Sequence, residues 1–268
     1  MGSAVFLAKW GKAMVHGLVQ TGNNDHRQNC AASVLAVIYF NIKMPTNTIV
    51  SISEAAFFSI MTSALEAYEV SVDHDTNQVH KEHSPLETHC NLWGYEATTI
   101  RGESSMKILF AEADGSAVRT NNSVQPNPEA YKLKSTFVDV FFPEIEYLGD
   151  MHSHPYSEKE VPNELALQRD GYYEQSNGDV RYAQSLQEER NYRIQLIATI
   201  YSRKQPTKRS FGHLGDETSC IRFQYDGKTI WLKAYVYKNT GSSFRKVADK
   251  MVLLLCPSMG IHAAMDEI

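Results

Sequence analysis

The chain has 268 residues, 43% of them hydrophobic and 21% charged, with 15 Gly and 9 Pro. That mixture excludes wholesale disorder and collagen-like repeats, and the length can bury a sizeable core in one large domain or two small ones. A formal net charge of −5 argues against a predominantly basic surface for nucleic acid.

The four cysteines, Cys30, Cys90, Cys220 and Cys256, include no Cys-x-x-Cys pair, so a sulfur-ligated structural zinc is not expected. Scattered thiols in a chain this long read as reduced cysteines of a cytosol-like compartment, not as a disulfide framework. Residues 1–22 interrupt their apolar side chains with Lys9, Lys12 and His16 and lack the pattern of a signal peptide. The apolar run Ala31–Phe40 is too short to span a bilayer. The expectation is an intracellular protein with neither a membrane nor a nucleic-acid partner.

In chain order, residues 1–45 form an N-terminal extension of one or two helices packed on the core. Residues 48–52 read as a strand. Ser53 then caps a helix to about Tyr68, with Phe57, Ile60, Met61, Ala64 and Leu65 at helical spacing. Strands are expected near Cys90–Tyr95 and Lys107–Ala111, and a loop over 114–127. A helix follows from Glu129 to Phe142, which Pro143 ends. Glu146–His152 is strand-like. Polar, turn-rich residues 155–178 lead into a helix over about 179–189.

Ile194–Tyr201 is a strand. Asp226-Gly227 joins Ile221–Tyr225 to Thr229–Tyr237 as a hairpin. An amphipathic helix over Ser243–Leu255 closes the chain. The alternation predicts a mixed α/β (α+β) fold, a mixed sheet with helices packed on it.

The most informative stretch is Gly149-Asp150-Met151-His152-Ser153-His154-Pro155. Residues i and i+2 of a strand face the same side, so His152 and His154 would offer two imidazoles to one point. Pro155 is expected to end the strand there. Downstream, Ser176-Asn177-Gly178-Asp179 precedes the helix; this is a turn with Asp179 as N-cap, or a carboxylate ligand held on a rigid element. Upstream lies Glu87-Thr88-His89-Cys90-Asn91-Leu92-Trp93-Gly94, whose glutamate could equally be a solvated acid before a strand.

Together these segments resemble the JAMM/MPN-plus family of zinc metalloproteases. That family shows Glu-x-x-Gly-x-Leu-x-Gly, then Gly-x-x-His-x-His-Pro, then Ser-x-x-Asp opening a helix. The matching residues are Glu87, Leu92 and Gly94; Gly149, His152, His154 and Pro155; Ser176 and Asp179. The resemblance covers roughly residues 48–238. It implies an MPN-like mixed β-sheet flanked by helices, with N- and C-terminal helical additions. The domain would occupy 46–240, followed by a C-terminal helix and tail over 241–268.

Two departures stand out: Cys90 replaces a family glycine, and residues 155–175 lengthen the connection between His154 and Ser176. That insertion admits Glu160 and Asp170 as rival ligands. Glu160 also follows a serine, Ser157, by three positions but leaves too short a loop, and Asp170 lacks both the serine and the following helix and strand, so Asp179 is preferred. The insertion, with Tyr156, Tyr172 and Tyr173, would hang beside the site as a substrate-contacting loop.

The resemblance implies one Zn2+ per chain on His152, His154 and Asp179, with the fourth position open to water. Glu87 would be the general base and Ser176 the oxyanion donor. The implied reaction is hydrolysis of an amide, often an isopeptide bond on ubiquitin or a ubiquitin-like protein. Two other readings remain: a non-catalytic scaffold, and a peptidase acting on a sulfur carrier or other small peptide.

His74, His80, His83 and His89 show no His-Glu-x-x-His pattern, and neither a Gly-x-Ser-x-Gly elbow nor a phosphate-binding loop occurs. Cys90 beside His89 leaves a cysteine protease open without further support.

Overall fold

The computed structural model describes residues 48–70, 85–100, 102–185, 190–203 and 211–262. The expected N-terminal extension, Cys30, His74, His80, His83 and the end of the 179–189 helix lie outside them.

β1 (Thr48–Ile52) alternates between buried and half-buried side chains. It leads into α1 (Glu54–Glu69), whose N-cap Ser53 accepts the Ala56 N–H at 3.1 Å. α1 buries Ala56, Ile60, Met61 and Ala64 against the sheet, the face that its helical spacing announced. β2 (His89–Thr98) and β3 (Ser104–Ala113) form an antiparallel pair.

The expected loop over 114–127 contains a short ladder of β4 (Val118–Arg119) and β5 (Val124–Gln125). α2 (Pro128–Phe141) buries none of its residues fully. Its Leu133, Phe137, Val140 and Phe141 stay exposed beside Trp93 and Phe110.

β6 (Glu146–Tyr156) pairs with β2 antiparallel and with β7 (Tyr192–Ser202) in parallel. Between them come α3 (Glu164–Arg169) and α4 (Asn177–Ser185). β8 (Phe211–Leu214), β9 (Glu217–Tyr225) and β10 (Lys228–Asn239) form an antiparallel meander closed by the Asp226-Gly227 turn. β11 (Phe244–Lys246) pairs with β10, and β12 (Val252–Leu255) lies parallel to β1.

Two expectations are corrected here. The fold is mostly β: a curled mixed sheet in the order β12-β1-β3-β2-β6-β7-β10-β9-β8, forming a half-barrel, with β11 on the flank of β10. It is not an MPN-like α/β sheet flanked by helices. Of the four described α-helices only α1 packs broadly on the core, and α2 covers little, so helices do not form the expected layers.

The second correction concerns Ser243–Leu255, which is not one amphipathic helix but β11, a single 3₁₀ turn over Asp249–Met251 and β12. Val252, Leu253, Leu254 and Leu255 are buried in succession, as in a strand covered on both faces. A short apolar run cannot by itself distinguish that state from a helix.

β7 shows how the sheet separates its faces. Ile194, Leu196, Ala198 and Ile200 enter the main core with α1, whereas Ile197 and Tyr201 join separate clusters on the other face. Among the described residues, no helix is long and apolar enough to cross a membrane. Cys90, Cys220 and Cys256 are buried free thiols.

Candidate metal centre

β6 carries Met151 into the main core and turns His152 and His154 to the opposite face. Their Nε2 atoms lie 3.1 Å apart. The strand does not stop at Pro155, as expected, but continues to Tyr156. Pairing with β2 ends at His89↔His152 while pairing with β7 continues. Among the described residues Pro155 thus lies beyond the pairing with β2 and needs no amide donor on that side.

Gly149 is required by backbone proximity. Its φ is +146°, and a Cβ there would lie 1.8 Å from the Ile194 carbonyl oxygen.

The third candidate ligand, Asp179, comes from α4 through a reciprocal cap. The Asp179 N–H donates to Ser176 Oγ at 3.2 Å, and the Ser176 N–H donates to Asp179 Oδ2 at 2.7 Å. Ser176 is thus the N-cap and Asp179 the third helical residue, which corrects the reading of Asp179 as the cap itself. The arrangement holds the Asp179 carboxylate 3.2 Å from His152 Nε2 and 3.5 Å from His154 Nε2. The potential ligand atoms of these three residues all lie within 4.8 Å of one another.

The rival carboxylates are otherwise engaged. Asp170 pairs with Arg169 at 2.7 Å on the surface. Glu160 lines the cleft but accepts from Ser157 N–H and Oγ, both at 2.9 Å.

Glu87 reaches the same cleft from the segment before β2. Its N–H donates to Thr120 O at 2.8 Å. Next to it, the Thr88 N–H donates to Ser153 Oγ at 2.9 Å, and the Ser153 N–H returns to Thr88 O at 3.0 Å. Ser153, between the two histidines, thereby ties the glutamate segment to the ligand strand. Sequence reasoning overlooked this role, although a hydroxyl between two ligand-like residues was its signal.

Asp150 was missed too, although strand alternation puts it on the face of His152. It accepts from Arg193 Nη2 at 2.7 Å and from Gln195 Nε2 at 3.3 Å. Its Oδ2 stands 3.9 Å from His152 Nδ1, an ion-pair rather than a hydrogen-bond distance.

Burial disfavours charge on His152, but the Asp150 and Asp179 carboxylates outweigh it and lift its pKa to about 10. Burial pulls His154 down. Burial also opposes ionisation of Asp179, yet the two imidazoles hold it well below the usual carboxylate range. Glu87 is pushed up to about 7, chiefly by burial; His152 opposes the shift and Asp179 adds to it. The centre thus favours positive charge between its two imidazoles and its carboxylate. Two nitrogens and a carboxylate converging on one point form a donor set suited to zinc.

Cys90 turns away from this face. It is fully buried in the main core, and burial raises its thiol to about 12, which does not suit a nucleophile. Residues 155–175 do not hang free. Val161, Leu167 and Tyr173 pack with Tyr201, Cys220 and Trp231, and Glu164 pairs with Arg203 and Arg222. Only the edge of the segment, Pro155, Tyr156 and Glu160, faces the cleft.

No family model matches the chain, and no curated protein does. Among solved structures, the chain is similar to the Trichoplax adhaerens STIL N-terminal domain at 11% identity and a TM-score of 0.29, over 72% of this chain and 43% of that one. The chain spans less than half of that neighbour, and a similarity this low carries no argument about function.

Proposed function

We propose that the protein is a zinc-dependent amide hydrolase of JAMM type in its chemistry, acting on a peptide or isopeptide bond. The observation that carries this reading is the convergence of His152, His154 and Asp179, with buried Glu87 in the same cleft. His152 and His154 would hold the metal through Nε2, and Asp179 through its carboxylate.

Zinc, when bound, supplies Lewis acidity and allows a water to ionise near neutral pH. Glu87 takes the proton of the attacking water on its carboxylate and passes it to the leaving nitrogen. Burial raises the Glu87 carboxylate above its ordinary range, which makes it a better proton acceptor. The Ser176 Oγ accepts from Asp179 N–H, so its own hydrogen remains available to the substrate oxyanion. The substrate class that the sequence resemblance implies is a ubiquitin or ubiquitin-like conjugate.

The test is zinc content by atomic absorption, followed by cleavage of linked ubiquitin chains by the zinc-loaded protein and its Glu87→Gln variant. About one zinc per chain is expected. In the variant, kcat should fall by roughly 10²–10⁴ with zinc retained. Failure of the wild type to bind zinc overturns the reading. Zinc binding without ubiquitin cleavage moves the substrate to a smaller peptide.

A further inference from the structure

Gln195 has no part in the chemistry above, yet it touches both segments that bring the candidate ligands together. It lies on β7 in register with Asp150 of β6, and partners across parallel strands face the same side of the sheet. That side is the one His152 and His154 share. Gln195 is fully buried between apolar neighbours, Ile194 and Leu196. A buried amide costs desolvation that only its own hydrogen bonds offset. Its Nε2 donates to Asp150 Oδ2 at 3.3 Å, and its Oε1 accepts from Gln175 Nε2. The reverse orientation would aim the amide oxygen at a carboxylate, so the network fixes which end faces which partner.

Each partner leads to a different candidate ligand. Asp150 Oδ2, which Gln195 holds, stands 3.9 Å from His152 Nδ1, while Arg193 Nη2 occupies Oδ1 at 2.7 Å. With His152 Nε2 turned to a metal, Nδ1 carries the ring proton, and a carboxylate on that side sets the ring's orientation. Gln175 directly precedes Ser176, the cap of α4. Its N–H donates to the Tyr235 hydroxyl at 3.1 Å, and its Oε1 accepts from the Tyr237 hydroxyl at 2.9 Å. Gln175 is thereby moored to β10 as well as to Gln195, and Ser176 and Asp179 follow from that mooring. Arg193, on the same face of β7, repeats the pattern: it pairs with Asp150 and lies 5.3 Å from the Tyr182 ring of α4.

We propose that Gln195 is a positioning residue that sets the spacing between His152 and Asp179 and so presets the centre for a metal ion. It acts through Asp150 and Gln175 and is not itself a ligand. The inference rests on the proposed function for the identity of the ion.

The test measures the zinc affinity of the full-length protein by competition with a chelator, for wild type, Gln195→Met, Gln175→Met and the double variant. Methionine keeps the length of glutamine and removes both ends of the amide. Each single variant should bind zinc about 10–100-fold more weakly. Both remove the same hydrogen bond, so the double variant should lose little more than the weaker-binding single variant, whereas independent defects would multiply. Leu254→Ala, a core change remote from the centre, controls for general loss of stability and should leave the affinity of its folded fraction unchanged.

A second measurement needs no metal. The side-chain amide 15N–1H signals of Gln195, identified by their loss in Gln195→Met, should exchange slowly with solvent in metal-free wild type and faster in Gln175→Met. They should also shift when zinc is added. Wild-type zinc affinity in Gln195→Met, or losses that multiply in the double variant, overturn the inference and leave the proposed function. If Gln195→Met does not fold, Gln195 amide signals in wild type that ignore zinc overturn it. Zinc affinities that follow the expected pattern in a protein that hydrolyses nothing overturn the proposed function and keep the inference.

Discussion

His152 sits between two carboxylates and is lifted to about 10 from an ordinary 6.5. In the metal-free protein the folded state therefore holds a proton that the unfolded chain releases near 6.5. The resulting stabilisation is complete below that pH and disappears as pH rises through about 10. Glu87, raised from 4.5 to about 7, adds a loss of the same sign as pH rises between those values. His154, which burial pulls down, acts in the opposite sense only around 6.5 and below, so the thermal midpoint of metal-free protein should fall as pH rises from 7 to 10. Bound zinc replaces the proton, so the zinc-loaded protein should show a much flatter profile. At the same scale, Asp179→Asn should abolish stoichiometric zinc binding, whereas Asp170→Asn should leave zinc content unchanged, because Asp170 is committed to Arg169 at the surface. Equilibrium dialysis against zinc separates the two.

At the scale of elements, the centre depends on strands meeting at close range. β6 and β7 approach so tightly at Gly149 that any side chain would collide with the Ile194 carbonyl, and the backbone there has a φ that favours glycine. Gly149→Ala should destabilise the protein by more than about 3 kcal/mol and lower soluble yield, as denaturant unfolding or expression level would show. Its effect should reach the centre because Gly149 lies three residues before His152. The motif glycine was legible in the sequence as part of a pattern, but its reason was not: the obstacle is a backbone atom of a strand more than forty residues away. α4 makes a related point. Its Ser-x-x-Asp signal is local, yet the sequence reading put the cap on Asp179, because either residue can cap a helix and only the two reciprocal hydrogen bonds show that Ser176 does.

At the scale of the molecule, the C-terminal strand closes one edge of the sheet. β12 lies against β1, Thr218 Oγ1 donates to Val252 O at 2.7 Å, and Leu254 is fully buried in the main core. Leu254→Ala should cost about 2–5 kcal/mol, read as a lower midpoint of chemical unfolding. Zinc content of the folded fraction should be unchanged, since β12 and the histidine strand β6 are separated by β1, β3 and β2 in the sheet. An edge strand remote from the site can thus govern how much protein is folded without altering what the folded protein binds.

The sequence by itself determined the features that depend on neighbours in the chain. His152 and His154 share a face because strand alternation requires it. Ser53 and Ser176 open helices because their side chains reach amides three residues on, and Asp226-Gly227 turns a hairpin because both residues accept positive φ. Only the tertiary structure decided the rest. Whether Val252–Leu255 became helix or strand depended on β1 as a partner. The carboxylate that joined the histidines was chosen from Glu160, Asp170 and Asp179 by the packing of residues 155–175 on β7, β9 and β10. Local patterns fix directions of side chains; which of them meet is set by contacts between segments far apart in the chain.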